Sequence, residues 1–181
     1  MRRLLMVSVL CLVGVGAACW WWWQRRLEHS QDGPIRSAAR HYALEPGLIK
    51  AVVWRESRFH PHARGRAEEI GLMQVQENAA LEWAEAEHIT NFVHEQCFDP
   101  VTNTLAGTWY LRKLLRRYAQ TDDPVPYALA DYNAGRANVL KWNRGAASTN
   151  SALFIQQIGF PGTRDYVRAV VGRWARYRKQ F

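Results

Sequence analysis

The chain has 181 residues, 48% of them apolar and 12% aromatic, and a formal charge of +8. That length suits one domain plus something extra. The cysteines exclude a disulfide-built fold, because Cys11 and Cys19 lie in an apolar N-terminal run and Cys97 stands alone in the body.

The extra piece is at the front. "MRRLLMVSVLCLVGVGAACWWWWQRR" carries no charge from Leu4 to Trp23. A helix of that length spans roughly 30 Å, about one hydrocarbon core. Residues 1–26 are therefore expected to be a membrane-spanning or signal helix, 27–35 a linker and 36–181 the main domain. The length of the run, Trp20 to Trp23 at an expected membrane–water interface and the missing small-x-small cleavage site favour a retained anchor. The alternatives are a cleaved signal peptide or a lipoprotein acylated at Cys19. The box "GAAC" has Gly16 where a large apolar residue is expected. Arginines flank both ends of the run, so the positive-inside rule favours a cytoplasmic N-terminus only weakly. Residues from about 27 onward are expected outside the cytoplasm.

The body reads as helices separated by Pro, Gly and Asn. Pro34 can start a helix at its first position, and Ile35, Ala38, Ala39 and Tyr42 follow at helical spacing. The next helix is expected over 46–57, ending ahead of Pro61. Residues 58–73 leave room for a small β-ribbon. "GLMQVQENAALEWAEAE" reads as a turn and then a helix. Asp99 as N-cap and Pro100 after it open the clearest helix, with Val101, Leu105, Thr108, Leu111, Leu115 and Tyr118 as its apolar stripe. "DDPVP" breaks it, "YALADYNAG" is a helix stopped by Gly135, and "RGAASTNS" is a loop. A last amphipathic helix holds Val167, Val170, Val171, Trp174 and Phe181 near one face. Its final 18 residues carry six cations and one anion. The exported location argues against nucleic acid as their partner. An anionic envelope polymer, a membrane surface or plain solvent are the remaining readings. With no alternating β pattern of useful length, the fold class is all-α.

The stretch "WRESRF" poses the chemical question. Glu56 lies seven residues after Ile49, four after Val52 and three after Val53, so it falls on the buried stripe near a helix C-terminus. Desolvation and the negative end of the helix dipole both raise a carboxyl pKa. A carboxylic acid kept protonated near neutral pH is what general acid catalysis requires. Periodicity alone favours a glutamate that escapes to solvent at the helix end.

The context points the other way. "ESRFHPHA", "GLMQ", "FDPVTNTLAGTWYLRKLL", "ALADYNAG" and "GTRDYVRAVVGRW", in that order and spacing over about residues 36–178, resemble the lytic transglycosylase domain of the lysozyme superfamily, soluble-lytic-transglycosylase type. The resemblance implies a lysozyme-like α-helical domain that cleaves peptidoglycan strands between N-acetylmuramic acid and N-acetylglucosamine. It implies Glu56 as the single catalytic acid and Ser57 as support for acid and sugar. It implies Gly71, Leu72, Met73 and Gln74 as the glycan-cleft turn, and Tyr132 and Asn133 opposite the acid. Read as residues alone, Ser57 can be a helix cap, Met73 core packing, Tyr132 a core tyrosine and Asn133 a helix-ending asparagine. Phe59, Asn103 and Gly107 look structural.

An ordinary glycosidase needs two carboxyl groups. The resemblance implies one. Glu56 would protonate the glycosidic oxygen, then take the proton from the sugar's own C6 hydroxyl as a 1,6-anhydro ring closes. The chain departs from the family pattern at Glu68, Glu77 and Asp131, where glycine, proline and alanine are usual. Asp131 as a second carboxylate would make a hydrolase. On the outer face it would be a solvated charge. A peptidoglycan-binding module without activity is a further alternative, against which the intact Glu56, Gln74, Tyr132 and Asn133 argue. No metal-ligand cluster, phosphate loop or nucleophile–base triad is evident, so no cofactor or metal is expected. Expected partners are glycan strands, the membrane through the N-terminal segment, and an envelope or secretion machine of unknown identity.

Overall fold

The computed structural model describes the backbone of residues 2–180 and the side chains of residues 12–180. The fold is all-α. Helix α1 spans Arg2–His29, α2 Asp32–Tyr42, α3 Pro46–Ser57, α4 Glu77–Ala86, α5 Pro100–Arg117, α6 Pro124–Ala134, α7 Arg136–Trp142, α8 Ser151–Gln157 and α9 Pro161–Tyr177. Short 3₁₀ turns cover His94–Phe98 and Gly145–Ser148.

Residues 27–35, read as a linker, hold the end of α1, a turn at Ser30 and Gln31 and the start of α2. The helix begins at Asp32, two residues before Pro34. The first eleven residues of the expected anchor lie outside the described side chains. Among the described residues no helix is long and apolar enough to cross a membrane. The described part of α1 holds the exposed Trp20 to Trp23 and closes in charged residues. The guanidinium groups of Arg25 and Arg26 lie 5.2 and 5.3 Å from the rings of Trp21 and Trp22.

Helix α1 is fastened to the body. Tyr177 donates to Glu28 at 2.5 Å, and Arg173 reaches the same carboxylate at 3.6 Å. Lys50 is fully buried in α3. Its ammonium group lies 2.6 Å from Asp32 and 3.3 Å from His29, with the Tyr177 ring 5.2 Å away. A buried ammonium group is tolerated only where such partners replace its water.

The core sits where α3 packs on α9, α5 on α2, α4 and α6, and α6 on α9. Ile35, Ala38, Ala39 and Tyr42 all face it, as their spacing predicts. Asp99 caps α5 by accepting from the Thr102 N–H at 2.8 Å. The buried face of α5 is only partly the expected one, with Thr108, Leu111 and Tyr118 buried as read. Val101 is exposed, while Asn103, Thr104, Ala106, Gly107 and Thr108 are buried. Asn103 and Gly107 meet the loop around Met73, and Thr104 meets the Pro34 carbonyl of α2, where small and polar residues match backbone better than leucines would. Helix α3 ends through Arg58 and Phe59, both at positive φ, before Pro61 can act. Residues 58–75 form two isolated bridges, Arg64 with Ile70 and Ile70 with Val75, and no strand occurs among the described residues.

Candidate active site

Five elements meet at an open cleft of about 610 Å³, α5 through Tyr110. The end of α3 supplies Glu56. The loop 63–76 supplies Gly65, Arg66, Glu69, Gln74 and Gln76, α4 supplies Asn78 and Glu82, and the end of α6 supplies Asp131, Tyr132 and Asn133.

Glu56 is half-buried at the cleft floor. Burial pushes its carboxyl up to about 7; a hydrogen bond from Tyr166 and the charge of Arg55 pull it down, and Glu69 pushes it up. Tyr166, on α9, donates to Glu56 Oε1 at 2.5 Å. Its own pKa is raised well above 10 by burial and by Glu56, so it keeps its proton and donates. Arg55 covers the Tyr166 ring at 5.3 Å. The group that orients the acid is therefore Tyr166. Tyr132, expected near the acid, lines the cleft but donates to the Met73 carbonyl at 2.8 Å. Tyr166 stands within the quoted motif "GTRDYVRAVVGRW" and shares a buried stripe with Val167 and Val170. A tyrosine on such a stripe needs a partner for its hydroxyl, and that signal could have found it.

The loop meets the cleft through backbone and polar tips. Met73 and Leu72 are fully buried. The Met73 side chain lies against Gly107, where a Cβ would come within 2.6 Å of its sulfur. Met73 is thus a core residue whose carbonyl, not its side chain, is tied to the cleft wall. Gly71 is needed for packing. Its φ is +79, and a Cβ there would meet Asn103 Nδ2 at 2.1 Å and the Cys97 carbonyl at 2.5 Å. Asn103 fixes the loop from beneath: Oδ1 accepts from the Met73 N–H at 2.8 Å, and Nδ2 donates to the carbonyls of Ile70 and Cys97 at 2.9 and 2.7 Å. Gln74 does line the cleft, held at φ 47 by donation to the carbonyls of Gly71 and Ala63.

Ser57 is buried and donates to the Val53 carbonyl at 3.2 Å, away from the cleft. Asn133 is exposed at the cleft edge and accepts from Thr163 at 2.8 Å. Asp131 is neither solvated nor unpaired. It is 2% exposed, with Arg117 at 2.6 Å and the Tyr118 hydroxyl at 2.7 Å on one oxygen. Glu68 and Glu77 are exposed and do not line the cleft. No cluster able to hold a metal ion occurs among the described residues.

A family model described as the Transglycosylase SLT domain matches residues 33–155. The chain belongs to that family. A membrane-bound lytic murein transglycosylase C of Klebsiella pneumoniae is 35% identical over 119 residues, covering 62% of this chain and 33% of the relative. The lytic transglycosylase Slt of Pseudomonas aeruginosa, solved as an inactive mutant, superposes with a TM-score of 0.77 at 25% identity, over 86% of this chain and 25% of that one. The 70 kDa soluble lytic transglycosylase of Escherichia coli gives 0.72 at 25% identity, over 81% and 24%. The chain thus spans a quarter to a third of the length of the curated relatives it matches. The matched residues hold α3 and α6, and α9 with Tyr166 follows them.

Proposed function

We propose that this protein is a peptidoglycan lytic transglycosylase. It cleaves the β-1,4 bond between N-acetylmuramic acid and N-acetylglucosamine and leaves a 1,6-anhydromuramic end. The observation that carries this reading is a single protonatable carboxyl, Glu56, raised to about 7 in an open cleft and held by Tyr166. The family membership and the names of the relatives support it.

Glu56 serves twice. Protonated near neutral pH, it gives its proton to the glycosidic oxygen. The resulting carboxylate accepts the Tyr166 hydrogen bond, which stabilises the charged form. It then takes the proton of the muramyl C6 hydroxyl as that oxygen closes on C1. The glycan supplies its own nucleophile, and no water is consumed. Asp131, occupied by Arg117 and Tyr118, is not in a position to activate water. The exposed tip of Asn133 and the amide of Gln74 are hydrogen-bonding groups for sugar substituents.

The test uses the full chain in detergent with purified peptidoglycan. Products one water lighter than hydrolytic fragments, absent with Glu56→Gln, are expected by mass spectrometry. Reducing-end products would overturn the transglycosylase reading. Tyr166→Phe is expected to lower kcat about tenfold. It also removes a hydrogen bond that favours the carboxylate, so the alkaline limb of the pH–rate profile moves upward.

The reading places residues 36–181 outside the cytoplasm, in the cell envelope, with glycan strands as substrate. Residues 1–26 then serve as an inner-membrane anchor, with the body in the periplasm, a cleaved leader or acylated Cys19 being the other modes. Treatment of cells with externally added protease after outer-membrane permeabilisation reads the exposure of the body. Carbonate extraction separates an embedded protein from a released one.

A further inference from the structure

Three carboxylates besides Glu56 line the cleft: Glu69, Glu82 and Asp131. Two are neutralised, Glu82 by Lys113 and Asp131 by Arg117. Among the described residues no ion pair forms at Glu69. Its place is nonetheless fixed at several points. Its backbone carbonyl accepts from the Gly65 N–H at 2.7 Å, and its carboxylate accepts from the Ala67 N–H at 2.9 Å. The side chain lies over Gly65, where a Cβ would come within 2.1 Å of Oε2. Gln74 lies over the same glycine, with Oε1 2.8 Å from that Cβ position. The missing side chain of Gly65 thus makes a recess over which the Glu69 carboxylate and the Gln74 side chain both lie.

We infer that Glu69 is a positioning residue of this cleft. It is a fixed negative charge on the loop wall that, added to the effect of burial, helps keep the proton on Glu56 between turnovers. The inference rests on Glu56 being the acid. The other titratable groups around Glu56 are Arg55 on its own helix, Tyr166 on α9, Tyr132 on α6, and, lining the same cleft, Asp131 on α6, Arg66 on the loop, Glu82 on α4 and Tyr110 on α5. Arg55 and the Tyr166 hydroxyl favour the carboxylate, and Glu69 opposes them. Like charges in a partly desolvated cleft interact more strongly than in water. The sequence departs from the usual pattern at Glu68, the neighbour of Glu69. Glu68 stands at φ 60 with its side chain in solvent beside Arg64, and the bend it makes brings the carboxylate of Glu69 back over Gly65.

The test reads the Glu56 carboxyl directly in the full chain. A ¹³C carboxyl titration, with Glu56 assigned by the signal lost in Glu56→Gln, gives the midpoint without turnover. Glu69→Gln is expected to lower it by about half a pH unit or more. Gly65→Ala, which displaces the carboxylate and keeps its charge in the chain, moves it the same way. Glu69→Asp leaves it closer to wild type than Glu69→Gln does. The alkaline limb of activity follows, so Glu69→Gln loses about threefold or more at pH 8 and less than twofold at pH 5. A Glu56 midpoint unmoved in both Glu69→Gln and Gly65→Ala overturns the inference, as does an activity loss of equal size at every pH. Should wild-type protein release no anhydro products while the midpoint still falls in Glu69→Gln, the proposed reaction fails and the pairing of the two carboxylates stands.

Discussion

Glu56→Gln is expected to lower kcat/KM by about a thousandfold, roughly 4 kcal/mol of transition-state stabilisation, and at the same time to make the protein harder to unfold above neutral pH. The first effect follows from one side chain serving as acid and base. The second follows from linkage. In the folded state the carboxyl titrates at about 7 against an ordinary 4.5. Between those values the folded protein holds a proton that the unfolded chain has lost. Stability therefore falls as pH rises through that window, and above it the whole penalty is present. Solvent in the open cleft reduces the penalty to about 1–2 kcal/mol. A neutral glutamine removes it at every pH. The melting temperatures of variant and wild type should coincide near pH 4.5 and diverge by a few degrees at pH 8, with the variant higher. An offset that does not change with pH would sink the assignment of this ionisation to Glu56.

Asn103→Ala is expected to cost about 3–5 kcal/mol of stability, a large part of what a domain of this size has. Asn103 is fully buried and makes three hydrogen bonds to loop backbone. Alanine leaves the Met73 N–H and the Cys97 carbonyl without partners in a dry site, and the Ile70 carbonyl with only the Val75 N–H at 3.0 Å. Aspartate would not rescue it, because a carboxylate accepts from Met73 but donates nothing to Ile70 and Cys97. Urea unfolding should show a lower midpoint at nearly constant slope. A loss under about 1 kcal/mol would mean that water replaces the side chain, and the loop would then be held by other contacts.

The two predictions differ in how far the sequence announced them. Helix α3 and the place of Glu56 on it were legible, because Ile49, Val52 and Val53 set the phase and Glu56 falls in register. The identity of the family was legible from motif order. Asn103 was legible as structural, but the stripe of α5 was drawn through Val101 and Leu115 because the reading counted aliphatics. Part of the true face is small and polar, where Asn103 and Gly107 meet the loop around Met73, and the rest packs on α2, α4 and α6. Helices α7 and α8 went unread, because seven residues make only two turns, too few for a period to register. The cleft loop is the more instructive case. Leu72 and Met73 were read as subsite residues by motif position, yet their side chains enter the core. Residue type does not tell which way a non-helical segment turns its side chains. Tyr132 was read opposite the acid, but the hydroxyl that donates to Glu56 is that of Tyr166; its buried stripe signals the need for a partner, while a contact 110 residues apart leaves no trace in local spacing of which partner it is.

The junction between α1 and the body has a mechanical consequence. Ser30 and Gln31 are the only residues between α1 and α2, and Glu28, Asp32 and Lys50 pin the two sides of that turn together. Flexible linkers give a tethered domain reach that grows with their length, and here there is no such length. Whatever surface holds α1 also fixes the height and heading of the cleft above it. Under the proposed function, an anchored α1 would act as a ruler and not a leash: glycan strands would be sampled at one stand-off distance and one azimuth, and strands lying elsewhere would have to come to the cleft.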